Sequence, residues 1–147
     1  MSSKRTPPQA WFRNPTENAV IRNFERSERK SAKQYEPPKV YICSPFKGDT
    51  ERNVKNAIRY CRFAVEQGKF PICPHAYLPQ FMDDNNPSER ELALSFGVRL
   101  LYGCKEIWVF GSKISDGMKQ EIIVAEKRGI KIRRFNEDLT EVFIDAI

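Results

Sequence analysis

This 147-residue sequence contains a single histidine, and its four cysteines form no C-x-x-C pair. The lone histidine disfavours a Ser-His-Asp triad, and a zinc site at Cys73 and His75 lacks a second pair of ligands, so we expect no bound metal. No apolar run approaches the ~20 residues of a membrane span, and the polar first residues differ from a secretory leader. We therefore expect free cysteines in a reducing, cytoplasmic setting and no membrane partner.

Glycine-rich nucleotide fingerprints are also missing. The sequence has no G-x-x-x-x-G-K-[ST] loop, no G-x-G-x-x-G after its first predicted strand and no G-x-S-x-G elbow. These absences argue against a P-loop protein, a dinucleotide-binding Rossmann domain and an α/β-hydrolase. Nothing in the sequence calls for a cofactor.

Basic charge is concentrated at the start of the chain. The first 39 residues hold nine Lys and Arg against four Glu, whereas the other 108 residues hold 16 basic and 15 acidic residues. We predict that residues 1–39 form an arm, partly helical, that is solvated or clasps another subunit. Contact with nucleic acid through Trp11, Phe12 and Arg13 is the less favoured alternative. Residues 40–147 are predicted to form one nearly neutral domain.

Strand and helix signals alternate through this domain. The predicted strands cover residues 40–43, 70–73, 106–110 and 131–135, and the predicted helices cover residues 49–67, 88–102 and 117–128. Residues 136–147 are left open between a helix and a strand that pairs elsewhere. The order predicts an α/β fold, a three-layer, doubly wound parallel sheet of four or five strands of the Rossmann or flavodoxin type. Pro71 places the second strand at an edge of the sheet.

Two details of the helices are predicted from local patterns. Ser88 to Glu91 resembles a capping box, which places the start of the second helix at Ser88. The inward stripe of the first helix is predicted to be Val54, Ala57, Ile58, Cys61, Ala64 and Val65.

The segment after the third strand carries the most informative pattern. The apolar run 107–110 leads into a turn at Gly111 and then into a helix that contains Glu121. Ligands bind at the carboxyl edge of such sheets, and the first turn of a helix offers free N–H groups to an anion. The inward stripe of this helix is predicted to be Met118, Ile122 and Ala125. Glu121 flanks that stripe, so it is either a functional carboxylate or an acidic residue favoured by the helix dipole.

Three short motifs follow the predicted strands at this edge. They are Tyr41-Ile42-Cys43-Ser44-Pro45-Phe46-Lys47-Gly48, Pro74-His75 and Ser115-x-Gly117-x-x-x-Glu121. In order and spacing they resemble the nucleoside 2-deoxyribosyltransferase superfamily, including its 2'-deoxynucleoside 5'-phosphate N-hydrolase branch. The resemblance covers about residues 40–135. A bacterial and phage group within the superfamily shares the pattern Trp-Val-Phe-Gly, Ser-x-Gly-Met and Glu.

The resemblance implies N-glycosidic bond chemistry. Glu121 would attack the anomeric carbon of a (deoxy)ribosyl ring with Tyr41 beside it, and water or a second base would resolve the glycosyl-enzyme. Ser115 stands where transferases acting on free nucleosides tend to carry Asp, which favours a nucleoside 5'-monophosphate as substrate. Lys47 and Lys113 are either additional positive charge or ordinary surface lysines. The resemblance assigns substrate contacts to Ser44, Pro45, Phe46, Lys47, Gly48, His75, Gly111, Ser115, Gly117 and Met118.

Gly97 departs from the pattern of the superfamily, which carries a sugar- and base-side aspartate at that position. Candidate substitutes are the acidic residues Asp83, Asp84, Glu89 and Glu91 and the single histidine, His75. The alternatives are a different substrate, or a nucleotide-binding or sensing module that keeps the pocket without turnover. The resemblance also implies a homo-oligomer with shared sites, for which the arm and the apolar tail 142–144 are candidate contacts.

Overall fold

The computed structural model describes residues 15–31 and 37–143. Trp11, Phe12 and Arg13 of the predicted arm, and Ile144 of the predicted contact tail, lie outside the described residues. The chain divides into two compact units, Met1–Glu36 and Pro37–Ile147. In the described residues, no helix is both long and apolar enough to cross a membrane.

The first unit contributes one amphipathic helix, α1 (Pro15–Ser31). Its apolar residues Val20 and Phe24 are more than half exposed, and Ile21 is also exposed. A helix that buries so little of its apolar face gains little stability from packing.

The second unit is a five-stranded sheet between two layers of helices. Its strands are β1 (Lys39–Cys43), β2 (Phe70–Ile72), β3 (Glu106–Phe110), β4 (Lys131–Phe135) and β5 (Glu141–Val142). Its helices are α2 (Thr50–Glu66), α3 (Pro87–Tyr102) and α4 (Asp116–Lys127), with two 3₁₀ turns at Pro74–Ala76 and Leu78–Gln80. The strand order is β2-β1-β3-β4-β5, and only β5 is antiparallel to its neighbour. This confirms the predicted α/β class and the edge position of the strand with Pro71. Of the two alternatives left open for the C-terminal segment, the strand is observed, at Glu141–Val142.

The alternation of β1 distributes its side chains between two cores. Val40 and Ile42 pack with α2 on one face, whereas Tyr41 and Cys43 pack with α3 and α4 on the other. Strand β2 lies on one side of β1, and the chain then crosses over to place β3 on the other side. The crevice between β1 and β3 is therefore the switch point at which such sheets bind ligands. Tyr41 therefore reaches the helical layer on the same side as Glu121.

Two predicted details of the helices are wrong. Helix α3 begins at Pro87, because the Asn86 side chain accepts hydrogen bonds from the N–H groups of Ser88 and Glu89 and caps the helix two residues earlier than predicted. The buried residues of α2 are Ala57, Tyr60 and Ala64, whereas Ile58 and Val65 are about half exposed. The Tyr60 ring stacks on the Phe110 ring with their centroids 4.1 Å apart. With Tyr60 turned inward, Ile58 and Val65 of the predicted stripe face the solvent.

Arg133 ties the C-terminal strand to the sheet. It donates two hydrogen bonds of 2.8 Å to Glu141, lies 3.5 Å from Glu106, and stacks over the rings of Trp108 and Phe135. These hydrogen bonds lower the pKa of Glu141. The resulting stability is present above the ordinary glutamate pKa of about 4.3 and is lost as the pH falls through the lowered value.

We expect Arg133→Ala to lower the free energy of unfolding by about 1–2 kcal/mol at pH 7, because a half-buried bidentate pair and a stacked side chain are lost together. Urea denaturation measures the change, with Lys105→Ala as an exposed basic control. The difference in the free energy of unfolding between Arg133→Ala and wild type should become smaller at about pH 3. An equal effect of both substitutions would contradict this role of Arg133.

Candidate active site

A cavity of about 640 Å³ opens at the carboxyl ends of β1 and β3. Its walls come from the loop after β1, the two 3₁₀ turns, one face of α3 and the first turns of α4. This volume lies within the range of small-molecule sites, roughly 300–1,000 Å³. The cavity therefore lies where the predicted motifs converge.

Tyr41 and Glu121 meet at the floor of the cavity. The Tyr41 Oη–H donates a 3.0 Å hydrogen bond to Glu121 Oε1, although the residues are 80 positions apart. Only 8% of Glu121 is exposed, so it lies within the inward face of α4 with Met118 and Ala125, and not on its flank. Ile122 is partly buried and packs against the same core cluster as Met118 and Ala125, so the predicted stripe is confirmed and Glu121 joins it.

Burial dominates the electrostatics of Glu121. It raises the pKa of the carboxyl, while His75 and hydrogen bonds from Cys43 and Tyr41 oppose the rise. Burial and the neighbouring carboxylate also raise the pKa of Tyr41 well above its ordinary value, which keeps the phenol protonated as a donor. Glu121 Oε2 is buried and makes no hydrogen bond to any described residue. One carboxylate oxygen is thus held in place, and the other is buried without a hydrogen-bond partner among the described residues.

His75 is the second ionisable group beside the carboxylate. Its Nδ1 lies 3.2 Å from the carbonyl oxygen of Ser44, which fixes the ring when Nδ1 carries the proton. The Phe46 ring packs against it at 5.4 Å, and Nε2 lies 3.9 Å from Glu121 Oε1. Residues from β1, the loop after β2 and α4 therefore converge on one point. In the described residues, no cluster of three or more His, Cys, Asp or Glu is arranged to hold a metal ion.

The amino end of α4 forms a further wall. Ser115 caps the helix, and its Oγ accepts a 3.3 Å hydrogen bond from the backbone N–H of Met118. Ser115 and Gly117 both line the cavity. The unpaired N–H groups of a first helical turn are suited to an anion.

The structure brings most of the predicted site residues to the cavity. The lining includes Tyr41, Phe46, Lys47, His75, Ser115, Gly117, Met118 and Glu121. It does not include Ser44, Pro45, Gly48, Gly111 or Lys113. Ser44 is fully buried and serves the site through the carbonyl that anchors His75, while Gly111 has a φ of 98° that permits the turn after β3. For these five residues, contact with a substrate stays a prediction.

Sequence reasoning missed the contribution of α3. Arg90, Ala93, Leu94 and Val98 line the cavity together with Gly97. Their spacing of three and four residues is the signal that one helical face points to a site. Of the acidic candidates, Asp83, Asp84 and Glu89 line the cavity and Glu91 does not. Asp84 lies 4.0 Å from Lys47, so this pair joins two walls at the cavity.

Gly97 lies where α3 passes closest to the phenol. A Cβ added at this position would be 3.0 Å from Tyr41 Oη, a distance that requires the hydroxyl to move. The residue is buried and lines the cavity. Gly97 therefore provides the space that Tyr41 occupies.

Fold and cavity together define an α/β protein with a cavity of small-molecule size at the switch point of its sheet. The chain belongs to the family described as a domain of unknown function (DUF7768), whose sequence profile matches residues 38–135. No curated protein sequence matches it significantly.

Solved structures share the architecture at low sequence identity. A 2-deoxyribosyltransferase from Bacillus psychrosaccharolyticus aligns with a TM-score of 0.53 and 17% identity over 73% of this chain and 77% of that one. A CMP N-glycosidase from Clostridium botulinum aligns with a TM-score of 0.43 and 20% identity over 67% and 68% of the two chains. The first of these likenesses confirms the fold that the sequence resemblance implied.

Proposed function

We propose that this protein cleaves or transfers at the N-glycosidic bond of a (deoxy)nucleoside 5'-monophosphate or related nucleotide. The observation that carries the proposal is Glu121, a buried carboxylate whose Oε1 is held by Tyr41 while Oε2 has no partner among the described residues. A buried, half-satisfied carboxylate is costly to maintain, and such groups cluster at functional sites. Its position inside the cavity supports a role as nucleophile.

In the proposed reaction, the Glu121 carboxylate attacks the anomeric carbon as the bond to the base nitrogen breaks. The product of this first step is an ester between the sugar and Glu121. Water, or a second base in a transferase, then attacks the same carbon and releases the carboxylate. Tyr41 keeps Oε1 in place throughout, so that the carboxylate meets the sugar in one orientation.

The amino end of α4 supports a substrate with a 5'-phosphate. Ser115 and Gly117 line the cavity on the same helix as the nucleophile. Lys47 and Arg90 lie on other walls of the cavity and add positive charge. A dianionic phosphate gains from helical N–H groups and from cations, whereas a free hydroxymethyl group gains much less.

Ser115→Asp tests the phosphate contact without removing the helix cap. Aspartate caps helices as well as serine does, so the hydrogen bond from the Met118 N–H has a replacement acceptor. We expect kcat/KM for a 5'-monophosphate to fall roughly tenfold or more, because a donor to the phosphate is replaced by a like charge. Activity on the matching free nucleoside should change by less than about threefold. Equal losses on both substrates would place the phosphate elsewhere.

The function is tested by a chromatographic assay for released base. Wild type and Glu121→Gln are incubated with common nucleosides, 2'-deoxynucleosides and their 5'-monophosphates. We expect wild type alone to release base, faster from monophosphates than from nucleosides. Release that requires an added second base would identify a transferase. Base release by Glu121→Gln at the wild-type rate would rule out the proposed nucleophile.

A second candidate is a nucleotide-binding module without turnover. Gly97 favours it, because the superfamily aspartate is replaced by a residue with no side chain, and Tyr41 Oη occupies the nearby space. This candidate predicts that a nucleotide raises the melting temperature while remaining intact. Catalytic release of base from the same nucleotide would exclude it.

A further inference from the structure

We infer that His75 is the general acid and base of the reaction, a role that rests on the proposed function. A leaving base requires a proton when the N-glycosidic bond breaks, and an attacking water must lose one. Gly97 has no side chain that could donate or accept a proton, and an added Cβ at that position would lie 3.0 Å from Tyr41 Oη. The proton must therefore come from another wall of the cavity.

The other ionisable groups of the cavity already have partners, are exposed to solvent or lie at the start of α3. Tyr41 donates to Glu121, and the rise in its pKa makes it a poor acid. Asp84 pairs with Lys47, and Asp116 is almost fully exposed beside Lys119. The remaining carboxylates are Asp83, which accepts a hydrogen bond from the Asn85 N–H, and Glu89, which lies in the first turn of α3.

His75 is positioned as an acid and base would be. Nδ1 is anchored on the Ser44 carbonyl, and Nε2 lies 3.9 Å from Glu121 Oε1. Retaining glycosidases hold their two catalytic groups only ~5 Å apart, whereas inverting ones separate them by ~6.5–9.5 Å to admit a water between them. The short separation fits the retaining arrangement. An imidazole nitrogen can donate or accept a proton, which suits one group to both roles.

The two steps balance in protons and electrons. In the first, a carboxylate oxygen of Glu121 bonds to the anomeric carbon, the bond to the base breaks, and its electron pair leaves with the base. The base takes the proton of His75 Nε2. In the second, neutral Nε2 takes a proton from a water whose oxygen bonds to the anomeric carbon. The ester bond breaks, its electron pair returns to Glu121, and His75 is protonated again.

His75→Asn isolates the role of Nε2. The asparagine amide lies near the place of Nδ1 and can still donate to the Ser44 carbonyl, while the titrating nitrogen is absent. The test compares two substrates with the same sugar phosphate. One is the preferred 5'-monophosphate of the base-release assay, and the other carries 4-nitrophenolate at the anomeric carbon, a group that leaves without a proton.

We expect His75→Asn to lower kcat/KM roughly 100-fold or more on the nucleotide and less than about tenfold on the nitrophenyl substrate. The variant should show a burst of nitrophenolate, and sodium azide, which attacks without a general base, should restore turnover. Glu121→Gln should be inactive on both substrates. Thermal unfolding checks the fold, and His75→Gln replaces the variant if asparagine is not tolerated.

Equal losses on both substrates without rescue by azide would overturn the acid and base role and leave a structural one. Nucleotide cleavage within about threefold of wild type would also overturn it. Wild type that releases neither base nor nitrophenolate would overturn the proposed function and this inference together. Active wild type with an active His75→Asn would overturn only the inference.

Discussion

Glu121→Gln is expected to reduce base release roughly 1,000-fold or more and to raise the stability of the folded protein. Glutamine keeps the carbonyl that accepts the hydrogen bond from Tyr41 but cannot form the glycosyl ester. The loss should appear in kcat as well as in kcat/KM, because the nucleophile acts in the chemical step.

The gain in stability follows from the charge of a buried carboxylate. Because the folded-state pKa of Glu121 is raised, its protonated form stabilises the fold, and that stability is lost as the pH rises from about 4.3 through the raised value. Glutamine is neutral at every pH, so burying it does not incur the desolvation cost of a charged carboxylate. At pH 7 we expect a gain of about 1 kcal/mol, or roughly 2–4 °C in melting temperature.

The matched control is Glu126→Gln on the exposed side of the same helix. It removes the same charge without altering the cavity, so both activity and melting temperature should stay near wild type. Melting curves at about pH 4 and about pH 7.5 check the sign, since the advantage of Glu121→Gln should be smaller at the lower pH. A lower melting temperature for Glu121→Gln at the higher pH would show that its charge is well compensated in the fold.

Local signals in the sequence account for the success of the fold prediction. The apolar runs of β1, β3 and β4 and the breaks at Gly68 and Gly129 are confined to a few residues each, so they remain readable without tertiary context. Errors occur where tertiary contacts decide. The rotation of α2 depends on the stacking of Tyr60 on Phe110, and no local pattern contains that contact.

The site was predictable in its parts and not in its geometry. The sequence located Tyr41 in one strand, His75 just after the next strand and Glu121 in a later helix, and the parallel sheet brings these segments together at one edge. It placed Glu121 on the flank of α4, because periodicity within one helix does not show how the helix turns towards β1. The reason for a glycine at position 97 is also hidden from the sequence, because the side chain that needs the space is Tyr41, 56 positions earlier in the chain.

Gly97→Ala is expected to cut base release about tenfold and to destabilise the fold, whereas in a Tyr41→Phe background it should stabilise it. The new Cβ would lie 3.0 Å from Tyr41 Oη, so the hydroxyl must give way by a few tenths of an ångström, which disturbs its hydrogen bond to Glu121. Because a displacement of about 1 Å in an active site can cost about 100-fold in rate, this smaller shift is expected to cost about tenfold. Overpacking of this kind costs about 1–3 kcal/mol.

The Tyr41→Phe substitution removes the atom that causes the clash. Ala then has only its ordinary advantage over Gly within a helix, about 0.5–1 kcal/mol. A double-mutant cycle measured by urea denaturation should therefore give a coupling of about 2 kcal/mol between the two positions. Gly103→Ala at the end of α3 is the control, since its Cβ would meet the Leu100 carbonyl oxygen at an ordinary 3.6 Å.

The coupling free energy from the double-mutant cycle separates two explanations for a glycine at position 97. If Gly97→Ala destabilises the wild-type protein and the Tyr41→Phe variant equally, the glycine serves the packing of α3 and the phenol is incidental. If the penalty disappears in the Tyr41→Phe variant, the helix carries no side chain here because the hydroxyl needs the space to reach Glu121. In that case an aspartate at this position is incompatible with the observed Tyr41–Glu121 contact, and the proton for the leaving base has to come from elsewhere in the cavity.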